Sequence, residues 1–192
     1  MQRDEIDRRT KIIVDQYDGI LPYHKVFYTL SIKENCSNAL TAFKKFDNYL
    51  SNQEDEYAVS ALQAALIYSS AISRYFWPSR TKNGLAKERG KQLRLALGVA
   101  AESPLSNRSL RNALEHFDER LDDYLVKLDA GYIFPTSIVG DHTLADEQPG
   151  HFFRLVDPVA CCFVIFNQKY WYAEIREELD SLMTKFEPDS SL

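Results

Sequence analysis

Apolar residues recur at helical spacing through the first two thirds of the chain. One apolar stripe runs through positions 32–50 and a second through positions 62–76, each at the i, i+4, i+7 steps of one helical face. Pro78 stops the second stripe. The pattern therefore predicts two long antiparallel helices joined near Asn52.

Two further helices are predicted on either side of this pair. A weaker amphipathic pattern over residues 3–17 precedes Gly19, and a short one runs from about Ala86 to Leu97 before Gly98. Glycine is the residue most often found just beyond a helix end, so both boundaries are expected near these glycines.

The strongest helical signal extends from Asn107 to about Leu128. Ser106 has the chemistry of an N-cap, and Gly131 follows the expected end. We therefore predict one uninterrupted amphipathic helix over this range. Its apolar stripe consists of Leu110, Leu114, Phe117, Leu121, Leu125 and Leu128.

The pattern becomes β-like after this helix. The runs HFFRLV and ACCFVIF flank a turn at Asp157 and Pro158, which predicts a small β-hairpin. Apolar residues at helical spacing then predict a closing helix from about Trp171 to Phe186, and residues 187–192 are expected to fray.

These elements predict a mainly α fold in a single domain spanning residues 1–192. Residues 1–130 would form a helical bundle, and residues 131–186 a small C-terminal β-hairpin with the closing helix. We find no internal repeat and no linker that would divide the chain.

Composition narrows the class of protein. A hydrophobic fraction of 45% and an aromatic fraction of 12% exclude a disordered chain. The three cysteines, two of them adjacent, fit neither a disulfide framework nor a CxxC metal clip and are expected to be buried. No apolar run approaches the ~20 residues that span a bilayer, and no secretory signal is evident, so we expect a cytoplasmic protein without membrane contact.

The candidate chemistry lies in the segment RNALEHFDER of the strongest helix, where Arg111, Asn112 and His116 are close in sequence. At about 100° per residue, Arg111 and His116 are separated by roughly 140° around the helix axis. One helix therefore makes a poor catalytic pair. Two copies packed across a two-fold axis would bring both residue types to one cleft, which predicts a homodimer.

The stretch from Ser106 to Tyr124 resembles the R-x(4-6)-H signature of the HEPN superfamily (higher eukaryotes and prokaryotes nucleotide-binding), with Arg111 as the motif arginine, Asn112 as the polar residue after it and His116 as the motif histidine. The order of elements is similar to the bacterial abortive-infection-like HEPN branch. The resemblance implies a dimeric helical bundle and, in active members, an endoribonuclease that needs no metal or other cofactor. It also implies a role in toxin–antitoxin systems, phage defence or RNA processing, with RNA as substrate and an antitoxin protein as an additional partner.

The residue types suit that reaction. When the 2'-hydroxyl of RNA attacks the adjacent phosphate, one proton must be removed, another delivered, and added negative charge stabilised. A histidine ionises near neutral pH, so His116 can act as acid or base. Arg111 can donate a fork of hydrogen bonds to phosphate oxygens, and Asn112 can orient the phosphate or the imidazole.

Charge is distributed unevenly along the chain. The net charge is -5, but residues 74–94 carry seven cations against Glu88, which gives +6. With the aromatic residues 75–77 beside it, this segment is a candidate RNA-binding surface, although the same rings could simply fill the core. Its cations are Arg74, Arg80, Lys82, Lys87, Arg89, Lys91 and Arg94.

Other readings of the same residues remain open. Arg111 and Glu115 could form an ordinary i, i+4 ion pair on a solvated face, with His116 beside Arg120 on the surface. The chain could then be a non-catalytic helical module that dimerises or binds a partner or RNA. Carboxylates near His116 work against RNA binding unless a second subunit covers them. No Glu-x-x-His pair is present, and His24, His142 and His151 are scattered, so no metal site is expected.

Overall fold

The computed structural model describes residues 2–79, 84–128, 130–146 and 150–186. Helices account for 67% of it, which confirms the mainly α class. The predicted fraying of residues 187–192 lies outside the described residues. The helices are α1 (Arg3–Tyr17), α2 (Lys25–Ser51), α3 (Asp55–Phe76), α4 (Leu85–Leu97), α5 (Arg108–Glu115), α6 (Phe117–Val126) and α7 (Ala173–Thr184). The strands are β1 (Tyr132–Val139), β2 (Gly150–Asp157), β3 (Cys162–Ile165) and β4 (Gln168–Trp171).

Helices α2 and α3 form the predicted antiparallel pair, joined through residues 52–54. Their facing stripes supply about half of the buried residues of the main hydrophobic core, including the fully buried Phe43, Leu62 and Leu66. The same core continues into α7 and into one face of the sheet. Burial of these stripes is the main force holding the two long helices together.

The cysteines agree in large part with the expectation of burial. Cys36 and Cys162 are buried, while Cys161 is half-buried, and none forms a disulfide. The Cys36 thiol donates to the carbonyl oxygen of Leu179 in α7 (3.2 Å), and burial raises its pKa to about 11. Cys36 therefore joins α2 to the closing helix as a small core residue.

The predicted helix over 107–128 is wrong in one respect, because it is broken at His116 into α5 and α6. The two halves pack against different partners: α5 lies against α3, whereas the Phe117 and Tyr124 rings of α6 contact the Phe166 ring beside the sheet. One straight helix could not make the contacts with α3 and with Phe166 at the same time. The N-cap is also Asn107 rather than Ser106, since the Asn107 side chain accepts hydrogen bonds from two amides of the first turn.

The predicted hairpin is present as β2 and β3, but it belongs to a four-stranded sheet in the order β1-β2-β3-β4. Strand β1 pairs parallel to β2, and β4 pairs antiparallel to β3. The closing helix begins at Ala173, not Trp171, because Trp171 pairs with Cys162 at the end of β4 and is 59% exposed. The C-terminal unit is therefore a small mixed sheet rather than a hairpin alone.

A short helical turn, His142–Asp146, covers the face of the sheet opposite the main core, where Phe152 and Leu155 are buried. Asp157 fastens this turn. One of its carboxylate oxygens accepts from the backbone N and the Nδ1 of His142 (3.1 and 2.7 Å), and the other accepts from two amides of the β2–β3 turn. One side-chain oxygen or nitrogen atom from each of Asp141, His142 and Asp157 lies within 4.8 Å of the others. Both Asp157 oxygens of this cluster already accept hydrogen bonds.

We expect Asp157 to contribute to stability above about pH 4. Burial raises the pKa of its carboxyl, but hydrogen bonds from Ala160, His142 and Val159 lower it more, from 3.8 to about 2. Because the folded-state pKa is depressed, this stability is present above 3.8 and is lost as pH falls from about 4 to about 2. Asp157→Asn should therefore cost on the order of 2 kcal/mol at pH 7.

Urea unfolding of wild type and Asp157→Asn between pH 2 and pH 7 measures this directly. The difference between the two free energies of unfolding should shrink toward zero at the acid end. Asp122→Asn, an exposed carboxylate of α6, is the control and should change stability by less than about 0.5 kcal/mol. A difference that persists unchanged at pH 2 would contradict the proposed cause.

Helix α4 packs unusually close to the end of α3. A Cβ built on Gly90 would lie 2.5 Å from the carbonyl oxygen of Phe76, so only glycine fits without movement. Gly90→Ala should favour the helix by about 1 kcal/mol but force the two helices apart, with a net loss of about 1–3 kcal/mol. Thermal unfolding against Lys91→Ala, an exposed position on the same helix, checks the sign, and a stabilised Gly90→Ala would rule out the close contact.

In the described parts of the chain, no helix combines the length and the apolar character that crossing a membrane requires.

Candidate functional site

His116 occupies the break between α5 and α6. Its backbone N–H donates to the carbonyl oxygen of Asn112, its carbonyl oxygen accepts from the N–H of Arg120, and its φ and ψ of -116° and 47° end one helix and begin the next. The side chain is 55% exposed, and Nδ1 lies 3.4 Å from an Oε of Glu119. The break therefore presents the imidazole to solvent beside a carboxylate.

A cleft of about 470 Å³ opens next to this histidine, between the outer face of α5–α6 and the β3–β4 edge of the sheet. The helices contribute an amide, an imidazole, two carboxylates and two cations, and the sheet contributes aromatic and amide side chains. Its walls are Asn112, Ala113, His116, Glu119, Arg120, Asp123, Tyr124, Lys127, Ile165, Phe166, Gln168 and Tyr170.

Hydrogen bonds fix the wall on the sheet side. Arg120 donates from Nη1 to the Oε1 of Gln168 (2.9 Å), and the hydroxyl of Tyr170 donates to the same oxygen (2.8 Å). The Gln168 amide is therefore held in one orientation across the cleft. Arg120 lines the cleft with one of its donors engaged by Gln168.

Tyr124 forms part of the floor. Its ring stacks on Phe166 with centroids 5.3 Å apart, and its hydroxyl donates to the Oδ1 of Asn167 (3.3 Å) and lies 3.2 Å from the Nδ1 of His151. Asn167 is itself anchored, because Oδ1 accepts from the N–H of Phe152. Burial raises the pKa of Tyr124, so its hydroxyl stays protonated at neutral pH. This floor is rigid and partly aromatic.

A second cleft, of about 410 Å³, meets the first at His116. It lies between α3 and α5 and is lined by Ile67, Ser70, Arg74, Leu114, Glu115 and His116. Arg74 lies 3.2 Å from a carboxylate oxygen of Glu115, so its charge is paired. His116 is thus accessible from two sides.

Arg111 lies outside both clefts. It is only 4% exposed, and its Nη1 donates to the carbonyl oxygen of Trp77 just beyond the end of α3 (2.9 Å). Its Nε is 3.9 Å from Glu115, so the i, i+4 contact weighed as an alternative exists, although on a buried face rather than a solvated one. Of the three motif residues, the structure brings Asn112 and His116 together in the cleft and directs Arg111 into the protein.

Two arginines of the 74–94 segment, like Arg111, donate to backbone carbonyl oxygens near the end of α3. Arg89 donates to the carbonyl oxygen of Arg74 and its guanidinium lies over the Tyr28 ring, while Arg94 donates to the carbonyl oxygen of Phe76 and lies over the Trp77 ring. With Arg111, they place positive charge at the C-terminal end of α3, where the helix dipole favours it.

The remaining cations of this segment differ in position. Lys87 and Lys91 are exposed, and Lys91 lies 4.0 Å from a carboxylate oxygen of Glu88. Arg80 and Lys82 lie outside the described residues. Phe76 is fully buried in the core, which is the alternative that the sequence left open for these aromatic residues. Within the described segment, Arg74, Lys87 and Lys91 are exposed as an RNA-binding face would require, although Arg74 and Lys91 each lie near a carboxylate.

The sequence analysis missed Arg120, Lys127 and Tyr124 as cleft residues. Arg120 and Tyr124 follow His116 at steps of four, which places them on its helical face. That spacing is the sequence signal for these two cleft residues. Gln168 and Tyr170 come from a strand that the sequence did not reveal.

Comparison of the chain with protein-family models, with curated proteins and with solved structures finds no match in any of the three.

Proposed function

We propose that the protein binds RNA in the cleft beside His116 and cleaves it without a metal ion, as the HEPN resemblance implies. The observation that carries the proposal is an exposed imidazole at a helix break, next to a cleft lined by Asn112, Arg120, Lys127 and two tyrosines. Cations for phosphates and rings for bases are what a single RNA strand requires.

In the proposed reaction, a base takes the proton of the 2'-hydroxyl and the oxygen attacks the adjacent phosphorus. The bond from phosphorus to the 5'-oxygen breaks, and an acid delivers a proton to that oxygen. The products are a 2',3'-cyclic phosphate and a 5'-hydroxyl. His116 takes one of these roles, and the second role falls to the His116 of another copy in a homodimer.

The surface beside His116 supports such a dimer. Ile67 is exposed and Leu114 is half-buried, and both line the second cleft beside the imidazole. A second copy packed on this apolar area would bring two histidines near one another across a two-fold axis. It would also cover part of the acidic surface of α6.

Arg111 has a positioning role in this proposal. It holds the first turns of α5 against the end of α3 and thereby fixes the direction in which α5 ends at His116. The phosphate charge would be met by cations that reach the cleft, namely Arg120 in α6 and Lys127 directly after its end.

A non-catalytic helical module is the second candidate, and two observations favour it. Arg111 is buried, and the carboxylates of Glu115, Glu119 and Asp123 surround His116 and repel phosphates. In that case the same face would bind a protein partner, such as a second copy or an antitoxin, rather than RNA.

The test is incubation of purified protein with structured and unstructured RNA in excess chelator, followed by analysis of the new ends. Fragments that carry 2',3'-cyclic phosphate and 5'-hydroxyl ends would support the ribonuclease. Absence of cleavage by a folded dimer would favour the module. Ends bearing a 5'-phosphate would refute the proposed reaction.

A further inference from the structure

Arg154 lies in β2 on the side of the sheet that faces the cleft. It pairs with Ile165 in β3, and residues directly opposite in an antiparallel pair share a face of the sheet. Ile165 lines the cleft beside His116. The Arg154 guanidinium reaches Phe117, the residue that follows His116 in the chain.

Two aromatic rings hold this guanidinium. Its carbon lies 5.2 Å from the centroid of Phe117 and 4.7 Å from that of Phe153. Its Nε is buried without a hydrogen-bond acceptor among the described residues, whereas the residue as a whole is only half-buried. Among the described residues no carboxylate pairs with it and no oxygen accepts from it. Burial accordingly lowers the pKa of Arg154.

The other arginines near the site or in the core are engaged differently. Arg111 and Arg94 donate to carbonyl oxygens at the end of α3, and Arg176 donates to both carboxylate oxygens of Asp47. The rings around Arg154 stabilise its charge but leave its donors without acceptors. A partly buried cation with unused donors is costly to the folded protein, and an arriving anion would remove that cost.

We propose that Arg154 is a phosphate-binding residue and that, in the RNA complex, it binds a backbone phosphate close to the one attacked at His116. The RNA part of this inference rests on the proposed function. A phosphate suits the site because its oxygens accept two parallel hydrogen bonds from the edge of a guanidinium. The flanking rings hold that guanidinium in one orientation.

Arg154→Met tests the inference, because methionine retains the apolar stem between the rings and removes the charge. The probes are inorganic phosphate and a non-cleavable 2'-O-methyl oligouridylate, with the Arg154 Nε resonance and the dissociation constants as readouts. We expect phosphate to shift the Nε resonance of wild type, and Arg154→Met to weaken oligonucleotide binding by about tenfold or more. The melting temperature should stay equal or rise, since an unpaired buried cation is removed.

Matched variants separate this role from general charge. Arg108→Gln removes one exposed cation from α5 and should weaken binding much less than Arg154→Met. Arg154→Lys keeps the charge without the fork and should restore part of the affinity. If Arg154→Met does not fold, the comparison of Arg154→Lys with wild type decides the question. The inference is overturned if Arg154→Lys binds each probe with the same affinity as wild type.

The outcomes also distinguish this inference from the proposed function. If phosphate and the oligonucleotide bind through Arg154 but unmodified RNA is not cleaved, the proposed ribonuclease function is refuted and the phosphate-binding role of Arg154 is retained. RNA cleavage with wild-type affinity in Arg154→Met would remove the phosphate site and leave the ribonuclease. A loss of binding that accompanies a melting temperature lower by several degrees would assign Arg154 a structural role and overturn the inference.

Discussion

His116→Ala is expected to reduce RNA cleavage by about 10²–10⁴-fold while leaving the fold intact. In the proposed reaction the loss follows from removal of the group that carries the proton, since His116 is the only histidine among the described residues that line either cleft. The fold should tolerate the change because the side chain is 55% exposed and its single ionic contact is with Glu119, itself exposed. Single-turnover cleavage rates in chelator measure the effect.

His24→Ala is the matched control for that experiment. His24 is an exposed histidine in the turn before α2, so its removal alters the same residue type away from the clefts. It should cleave at the wild-type rate. A His116→Ala protein that cleaves as fast as His24→Ala would exclude His116 from the reaction and shift the assignment to the non-catalytic module.

The helical part of the fold could be predicted from the sequence because its signals are local. The stripes of α2 and α3 are long, and Pro78 and Gly98 end the third and fourth helices where expected. The spacing of apolar residues within each segment is enough to predict the helix and its buried face, so contacts with residues distant in the chain alter that prediction little.

The break at His116 could not be predicted in this way. The apolar stripe of residues 110–128 continues at helical spacing across it, and both Ser106 and Asn107 are good N-caps. The bend arises because α5 must lie on α3 while Phe117 must reach the aromatic residues of the sheet. Such competition between distant partners leaves no local signature.

The outer strands were missed for a related reason. Strand β1 contains Pro135, and its first residues, Tyr132 and Ile133, are exposed, so it lacks the burial of a central strand. Strand β4 has only four residues, and its Trp171 also fits the helical spacing of α7. Strand β1 is defined by its parallel pairing with β2, across residues 140–149. Strand β4 is defined by its pairing with β3, across a tight turn.

The sequence does not determine the direction of the Arg111 side chain. Helical geometry placed it on the flank of the apolar stripe, where either solvent or a neighbour could receive it. Three carbonyl oxygens at the end of α3 accept from Arg89, Arg94 and Arg111 instead. Side-chain direction at a flank position depends on whether an unsatisfied acceptor lies within reach, and sequence does not reveal that.

Arg111→Ala is therefore expected to lower the free energy of unfolding by about 2–4 kcal/mol. The substitution leaves the carbonyl oxygen of Trp77 without its donor, removes one of the two cations near Glu115, and opens a void where the stem was packed. Arg108→Ala, an exposed arginine three positions earlier, should cost less than about 0.5 kcal/mol. Urea unfolding of both variants compares a buried with an exposed arginine on the same helix.

The same variant separates a positioning role from direct contact with the phosphate. If Arg111 acts by holding α5, cleavage should fall together with stability, and Arg111→Met, which keeps the packed stem, should recover part of both. If Arg111 instead bound phosphate, Arg111→Ala would lose cleavage with an unchanged free energy of unfolding. That second result would mean that the arginine leaves Trp77 in the RNA complex, and it would contradict the positioning role derived from its burial.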